Sequence, residues 1–172
     1  MAEEMSTAVE GETKAEAYIR IGKEIAAIVA GETSRTARYA TAACLLAHNF
    51  GPRFFWTGFY VVDPQKPQEL VVGPYQGTLG CLRIPFGRGV CGAAAQSGET
   101  QLVRDVEAFP GHIACDSRSR SEIVVPVLDA EGALAAVLDV DSEEYGAFDE
   151  ADRVGLEAIC EGLLVGVRRA SS

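Results

Sequence analysis

The stretch SEIVVPVLDAEGALAAVLDVDS, residues 121–142, constrains the fold more than any other. Two apolar, β-branched runs flank Asp129-Ala130-Glu131-Gly132, and Gly132 suits a left-handed turn position. This is a β-hairpin. The segments around it do not share its period. From Lys14 to about Ala30, Ala17, Ile21, Ile25 and Ile28 recur at helical spacing. A second helix is expected from Arg35 to His48, with Ser34 as N-cap. A last one is expected from Glu150 to Arg168, capped by Asp149, with Val154, Leu156, Ile159, Leu163 and Val167 on its apolar side. Between them, RFFWTGFYVVD and ELVVGPY read as strands joined by a PQKPQ turn. CLRIP and ETQLVRDV are short extended pieces, and a short helix runs from about Val90 to Ala95. The order is two helices, several strands with short inserts, then one helix. This is an α+β chain, with an antiparallel sheet carrying the long helices on one face and irregular segments on the other.

The chain has 172 residues and is 48% hydrophobic, which suits one domain with a real core. Residues 1–12 are acidic, small and aperiodic and read as a disordered tail, leaving 13–170 as the domain. The net charge of −10 argues against nucleic acid or an anionic membrane as main partner, because both call for a basic surface. The N-terminus lacks a basic segment followed by an apolar run, so it is no secretory signal, and its acidity makes it a poor transit peptide. No apolar stretch reaches the roughly 18 residues needed to span a bilayer. The cytosol is the expected compartment.

Five cysteines, an odd number without zinc-finger spacing, argue against a static disulfide framework in a reducing compartment. Cys44 and Cys160 fall on helices and are expected to pack as core thiols. The other three lie outside the long helices. Cys91 follows Gly87-Arg88-Gly89-Val90 at a helix start, where unpaired N–H groups favour a thiolate. Cys115 sits in a polar loop with Arg118 and Arg120 nearby, and Cys81 opens an extended piece. Three such thiols point toward redox chemistry, since a sulfenic acid needs a second thiol to resolve it.

Acids form a second set. Asp139 and Asp141, two apart on a strand, share a face, and the hairpin turn brings that strand back toward Glu122. Together they suit an ammonium group. Aromatics form a third set: alternation puts Trp56 on the face of Tyr60 but not of Phe59, unless Gly58 marks a bulge. Gly87, Gly89 and Gly92 imitate G-x-G-x-x-G, but without the surrounding βαβ unit and without a Lys-Ser/Thr ending the signal is weak. His48 and His112 are far apart, and no metal site is expected.

GPYQG, CLRIPFGRGVCG, FPGHIACDSRSRSEIVVPV and LDVDSEEYGAFDEAD resemble the free methionine-(R)-sulfoxide reductases, which are single GAF domains. The resemblance covers about residues 54–163. It implies an antiparallel sheet of about six strands, with the N- and C-terminal helices on one side and a closed pocket on the other, and a homodimer. It implies reduction of free methionine (R)-sulfoxide with no bound cofactor, thioredoxin (ultimately NADPH) being the external reductant. By the same resemblance Cys115 is the nucleophile, Cys81 resolves it, and Cys91 is an alternate partner or a rival nucleophile. Glu122, Asp139 and Asp141 bind the substrate ammonium and assist protonation, and Trp56 and Tyr60 hold the sulfoxide end. The competing function is a non-catalytic GAF module that binds a nucleotide or other small ligand.

Overall fold

A computed structural model describes residues 9–113 and 115–167. Four helices and six strands follow in the order α1 (Lys14–Ile28), α2 (Arg35–Phe50), β1 (Trp56–Asp63), β2 (Lys66–Gln76), β3 (Arg83–Pro85), α3 (Gly89–Ser97), β4 (Gln101–Val103), β5 (Ser121–Leu128), β6 (Leu134–Ser142) and α4 (Glu150–Leu163). A 3₁₀ turn, Val106–Ala108, interrupts the long connection from β4 to β5. The strands make one antiparallel sheet in the order β3-β2-β1-β6-β5-β4. The expected α+β architecture is therefore present, with the hairpin β5–β6 at its centre beside β1.

Local sequence explains the helix ends. Thr13 and Glu16 form a capping box at α1, and Asp149 and Asp152 form another at α4. Ser34 caps α2 by accepting from the Ala37 N–H at 3.3 Å. Two boundaries differ from the periodicity. The helix expected to reach Arg168 ends at Leu163, where the chain turns through Gly166 at φ 75°; Arg168 lies outside the described residues. Most of PQKPQ joins β2, because the Asp63 carboxylate accepts the Gln65 N–H and closes the turn at once. Residues 1–8 of the acidic tail lie outside the described residues, and Glu12 at its end pairs with Arg20 at 2.8 Å.

The sheet divides the apolar side chains into two cores. On one face Ile21, Ile25, Leu45, Leu46, Leu156 and Leu163 of the long helices close over Phe59, Ile123, Val125, Leu138 and Val140. On the other face α3 and the β4–β5 connection cover Trp56, Tyr60, Val124 and Val137. Cys160 is buried in the first core as expected, whereas Cys44 is only half-buried. It sits toward the edge of the α2 stripe, flanked by the buried Ala43 and Leu45.

Helices α1 and α4 approach closely because Gly155 faces Tyr18, whose hydroxyl donates to Asp152 Oδ1 at 2.8 Å. A Cβ at position 155 would overlap the Tyr18 ring. Alanine is otherwise the better helix former by about 1 kcal/mol, so the sign of the effect separates packing from propensity. Gly155→Ala is expected to lower stability by about 1–3 kcal/mol in urea unfolding, the usual penalty of overpacking. A neutral or stabilising result would mean that the two helices are not held by this contact.

Candidate active site

Strand register brings the three acids together. Glu122 pairs with Asp141, and Asp141 pairs in turn with Trp56. One row along, Val124 pairs with Asp139 and Asp139 with Gly58. Tyr60 faces Val137 in the next row. Alternation then puts Trp56, Tyr60, Glu122, Asp139 and Asp141 on the same face, the one covered by α3. Gly58 does coincide with a register shift, but between β1 and β2, so Trp56 and Tyr60 stay together and Phe59 points into the opposite core.

Gly58 has a second use. Having no side chain, it lets Tyr75 and the Trp56 ring close in: a Cβ there would overlap the Tyr75 Cβ and meet the Trp56 ring at 2.8 Å. The Trp56 ring stacks on Tyr60 at 5.5 Å and on Tyr75 at 5.2 Å between centroids. Its Nε1–H donates to the Thr78 carbonyl at 3.0 Å. Gly80 continues the theme: a Cβ there would come within 2.8 Å of the Tyr60 hydroxyl. The aromatic wall is thus built on two glycine gaps.

All the expected site residues except Cys81 line one cavity of about 30 Å³, and Cys81 is bonded to Cys115. That volume has room for about one or two waters. The Cys81–Cys115 disulfide spans 34 residues with its Cα atoms 5.3 Å apart. It ties the segment before β3 to the β4–β5 connection, and Cys115 is its exposed partner. Arg118 and Arg120 are engaged by groups other than Cys115. Arg118 pairs with Asp116 and Glu143 and lies over the Phe55 ring, while Arg120 donates to the carbonyls of Ser117 and Ser119.

Cys91 differs from its sequence expectation. It lies in the first turn of α3, yet burial and the nearby Asp139 and Glu122 push its thiol well up, away from a thiolate. Its Sγ donates to Glu122 Oε1 at 3.8 Å. The helix terminus is outweighed because the thiol points into an acidic, enclosed space.

The acids behave in the same way. Burial raises Glu122 and Asp139 well above the ordinary carboxylate range; repulsion from Asp139 and Asp141 adds to it at Glu122, and repulsion from Asp141 adds to it at Asp139, against hydrogen bonds from Cys91 and Glu122. Asp141 is pushed up to about 6 by burial, against the stabilising hydrogen bond from Ser119 Oγ at 2.5 Å. Asp139 is 5% exposed, and its Oδ1 has no hydrogen-bond partner. Such an atom calls for a donor that the protein itself does not provide. Four contributors went unseen in the sequence: Ser119, which holds Asp141; Thr78, which accepts from Trp56 and donates to Asp116 at 2.7 Å; Asp116 itself; and His112, which burial keeps toward its neutral form. All lie in loops, where no periodicity marks a side chain's direction.

The comparisons with known proteins agree with this architecture. The GAF domain family model matches residues 21–166. The free methionine-R-sulfoxide reductase of Escherichia coli (strain K12) is 41% identical over 146 residues, covering 85% of this chain and 86% of that protein. This chain belongs to the free methionine-R-sulfoxide reductases, a GAF-domain family. Protein YtsP of Bacillus subtilis (strain 168) is 46% identical over 85% of this chain and 88% of its own length. The X-ray structure of the Neisseria meningitidis free methionine-R-sulfoxide reductase in complex with its substrate superposes with a TM-score of 0.86 at 45% identity, covering 94% of this chain and 95% of that one.

Within this reductase fold the acidic cluster has a pH signature. Asp141 titrates higher folded than the roughly 4 expected of an unfolded aspartate. Its proton-linked stability is therefore fully present below about pH 4 and is lost as the pH rises through about 6. Asp141→Asn keeps the oxygen that accepts from Ser119 but removes the titration. Relative to the parent, it is expected to gain stability between pH 4.5 and 7, on the order of 3 kcal/mol at most. Thermal melts across that range check this, and a constant difference between the two proteins would contradict a raised Asp141.

Proposed function

We propose that this chain reduces free methionine (R)-sulfoxide to methionine through Cys115, Cys81 and an external dithiol. The observation that carries the proposal is one pocket lined by Cys115, which is bonded to Cys81, by a buried acid cluster without an ion-pair partner, and by an aromatic wall. Free methionine has three features to match. Its ammonium suits Glu122, Asp139 and Asp141, and the orphan Oδ1 of Asp139 in particular. Its S-methyl end suits the stacked Trp56 and Tyr60 rings. Its sulfinyl oxygen must leave protonated, which suits carboxyls held toward their acid forms.

In this mechanism the Cys115 thiolate attacks the sulfoxide sulfur while a carboxyl proton goes to the oxygen. Methionine departs and Cys115 is left as a sulfenic acid. Cys81 then condenses with it, releasing water and forming the disulfide. A dithiol protein, thioredoxin by the family resemblance, opens that disulfide by exchange and is itself oxidised. The geometry supports Cys115 over Cys91 as nucleophile, because Cys115 is the exposed member of the pair and the buried Cys91 thiol is held protonated. It supports Cys81 as the resolving thiol because Cys81 is bonded to Cys115. The cavity of about 30 Å³ is smaller than a methionine, so the segment carrying Cys115 must move outward to admit substrate. A reducing cytosol and a homodimer complete the proposal. Among the described residues no helix is long and apolar enough to cross a membrane.

The test is a coupled assay with thioredoxin, thioredoxin reductase and NADPH. NADPH consumption is expected with free methionine (R)-sulfoxide and not with the S epimer. Cys115→Ser is expected to abolish turnover, by at least ~10³-fold. Equal rates with both epimers would sink the substrate assignment. Full activity in Cys115→Ser with loss in Cys91→Ser would move the nucleophile to Cys91.

A further inference from the structure

Three ligand-type atoms stand close together at the pocket. The Cys91 Sγ, a Glu122 carboxylate oxygen and an Asp139 carboxylate oxygen all lie within 4.8 Å of one another, and all three residues are buried. The thiol takes no part in the disulfide and has no step in the mechanism above. A tetrahedral zinc with a thiolate at about 2.3 Å and a carboxylate oxygen at about 2.0 Å separates those two atoms by about 3.5 Å. Cys91 Sγ and Glu122 Oε1 are 3.8 Å apart, so a shift of a few tenths of an ångström completes that edge. The second observation is independent of the spacing. Asp139 borders the cavity and is 5% exposed, and its buried Oδ1 has no hydrogen-bond partner, so this carboxylate has an acceptor left for a ligand.

We propose that Cys91, Glu122 and Asp139 form a binding site for a single borderline-soft divalent cation of the zinc class, with its fourth position facing the cavity. The donor set excludes the hard cations: magnesium and calcium prefer all-oxygen shells, whereas one thiolate with two carboxylates suits zinc. Binding displaces the Cys91 thiol proton and any carboxyl proton to solvent, with no change of oxidation state. The metal then neutralises the acids that suit the substrate ammonium. On the reductase reading it is therefore a competitive inhibitor, and it needs neither Cys81 nor Cys115.

The test uses the reduced full chain in chelator-free buffer with zinc alone, and separately with cobalt(II) as a coloured substitute. One zinc per chain is expected by isothermal titration, with release of at least the Cys91 thiol proton. Cobalt is expected to give a thiolate charge-transfer band. The Cys81→Ser/Cys115→Ser double variant is expected to bind as the parent does. Cys91→Ser is expected to lose the band and at least ~10-fold in affinity. Asp139→Asn is expected to lose at least ~10-fold, with Glu122→Gln as the second carboxylate variant should Asp139→Asn not fold. Retention of zinc by Cys91→Ser with loss in the double variant would place the metal on the reactive pair and overturn the proposal, as would absence of binding by the parent. The titrations contain no sulfoxide, so their outcome is separable from that of the reductase assay.

Discussion

Burying Glu122, Asp139 and Asp141 on one sheet face raises the energy of their charged forms, and the fold around them is arranged to sustain that. None of the ion pairs among the described residues involves these three acids. Basic partners are instead spent elsewhere: Lys14 and Arg53 on Asp152, Arg83 on Asp63 and Glu69, Arg118 on Asp116 and Glu143. The acid cluster therefore keeps raised proton affinities and an unsatisfied acceptor. A stable enough sheet must hold this arrangement, and the long-helix core on the opposite face supplies it. A site held away from its own stability optimum is what binding a cation and moving a proton both require.

The two faces of the sheet thus divide the work by side-chain parity. On β5 and β6 the residues that alternate with the acids, Ile123, Val125, Leu138 and Val140, seal the helix side. A one-residue slip in register would exchange the acids with these apolar groups. The constraint that makes the core is consequently the same one that makes the pocket. The covering elements are less regular. Helix α3 and the β4–β5 connection meet where the Gly89 N–H donates to the Gly111 carbonyl at 3.1 Å, and the Cys81–Cys115 bond adds a covalent tie. That bond joins two segments of the cover and no strand of the sheet.

Much of this was legible in the sequence because it is local and periodic. Alternation along β6 put Asp139 and Asp141 on one face, and the turn at 129–132 returned them toward Glu122. Ser34, Asp149 and the helical spacing of α1 marked where their helices begin, though not where they end. What was not legible depends on pairing between distant segments. Gly58 was readable as a strand irregularity, but not its second use, standing opposite Asp139 and leaving room for Tyr75 and Trp56. Cys91 looked like a helix-start thiolate, because the three acids that hold it protonated come from β5 and β6. Ser119 and Thr78 belong to loops whose direction is set only once the strands have paired.

The most direct measurement is a single turnover followed by mass analysis. The fully reduced chain is mixed with one equivalent of free methionine (R)-sulfoxide without any reductant, quenched by alkylation, and digested. The account predicts one equivalent of methionine, a loss of about two mass units before alkylation, and a Cys81–Cys115 crosslinked peptide with Cys91 alkylated as a free thiol. Methionine formed with a crosslink through Cys91, or no methionine formed at all, would contradict it.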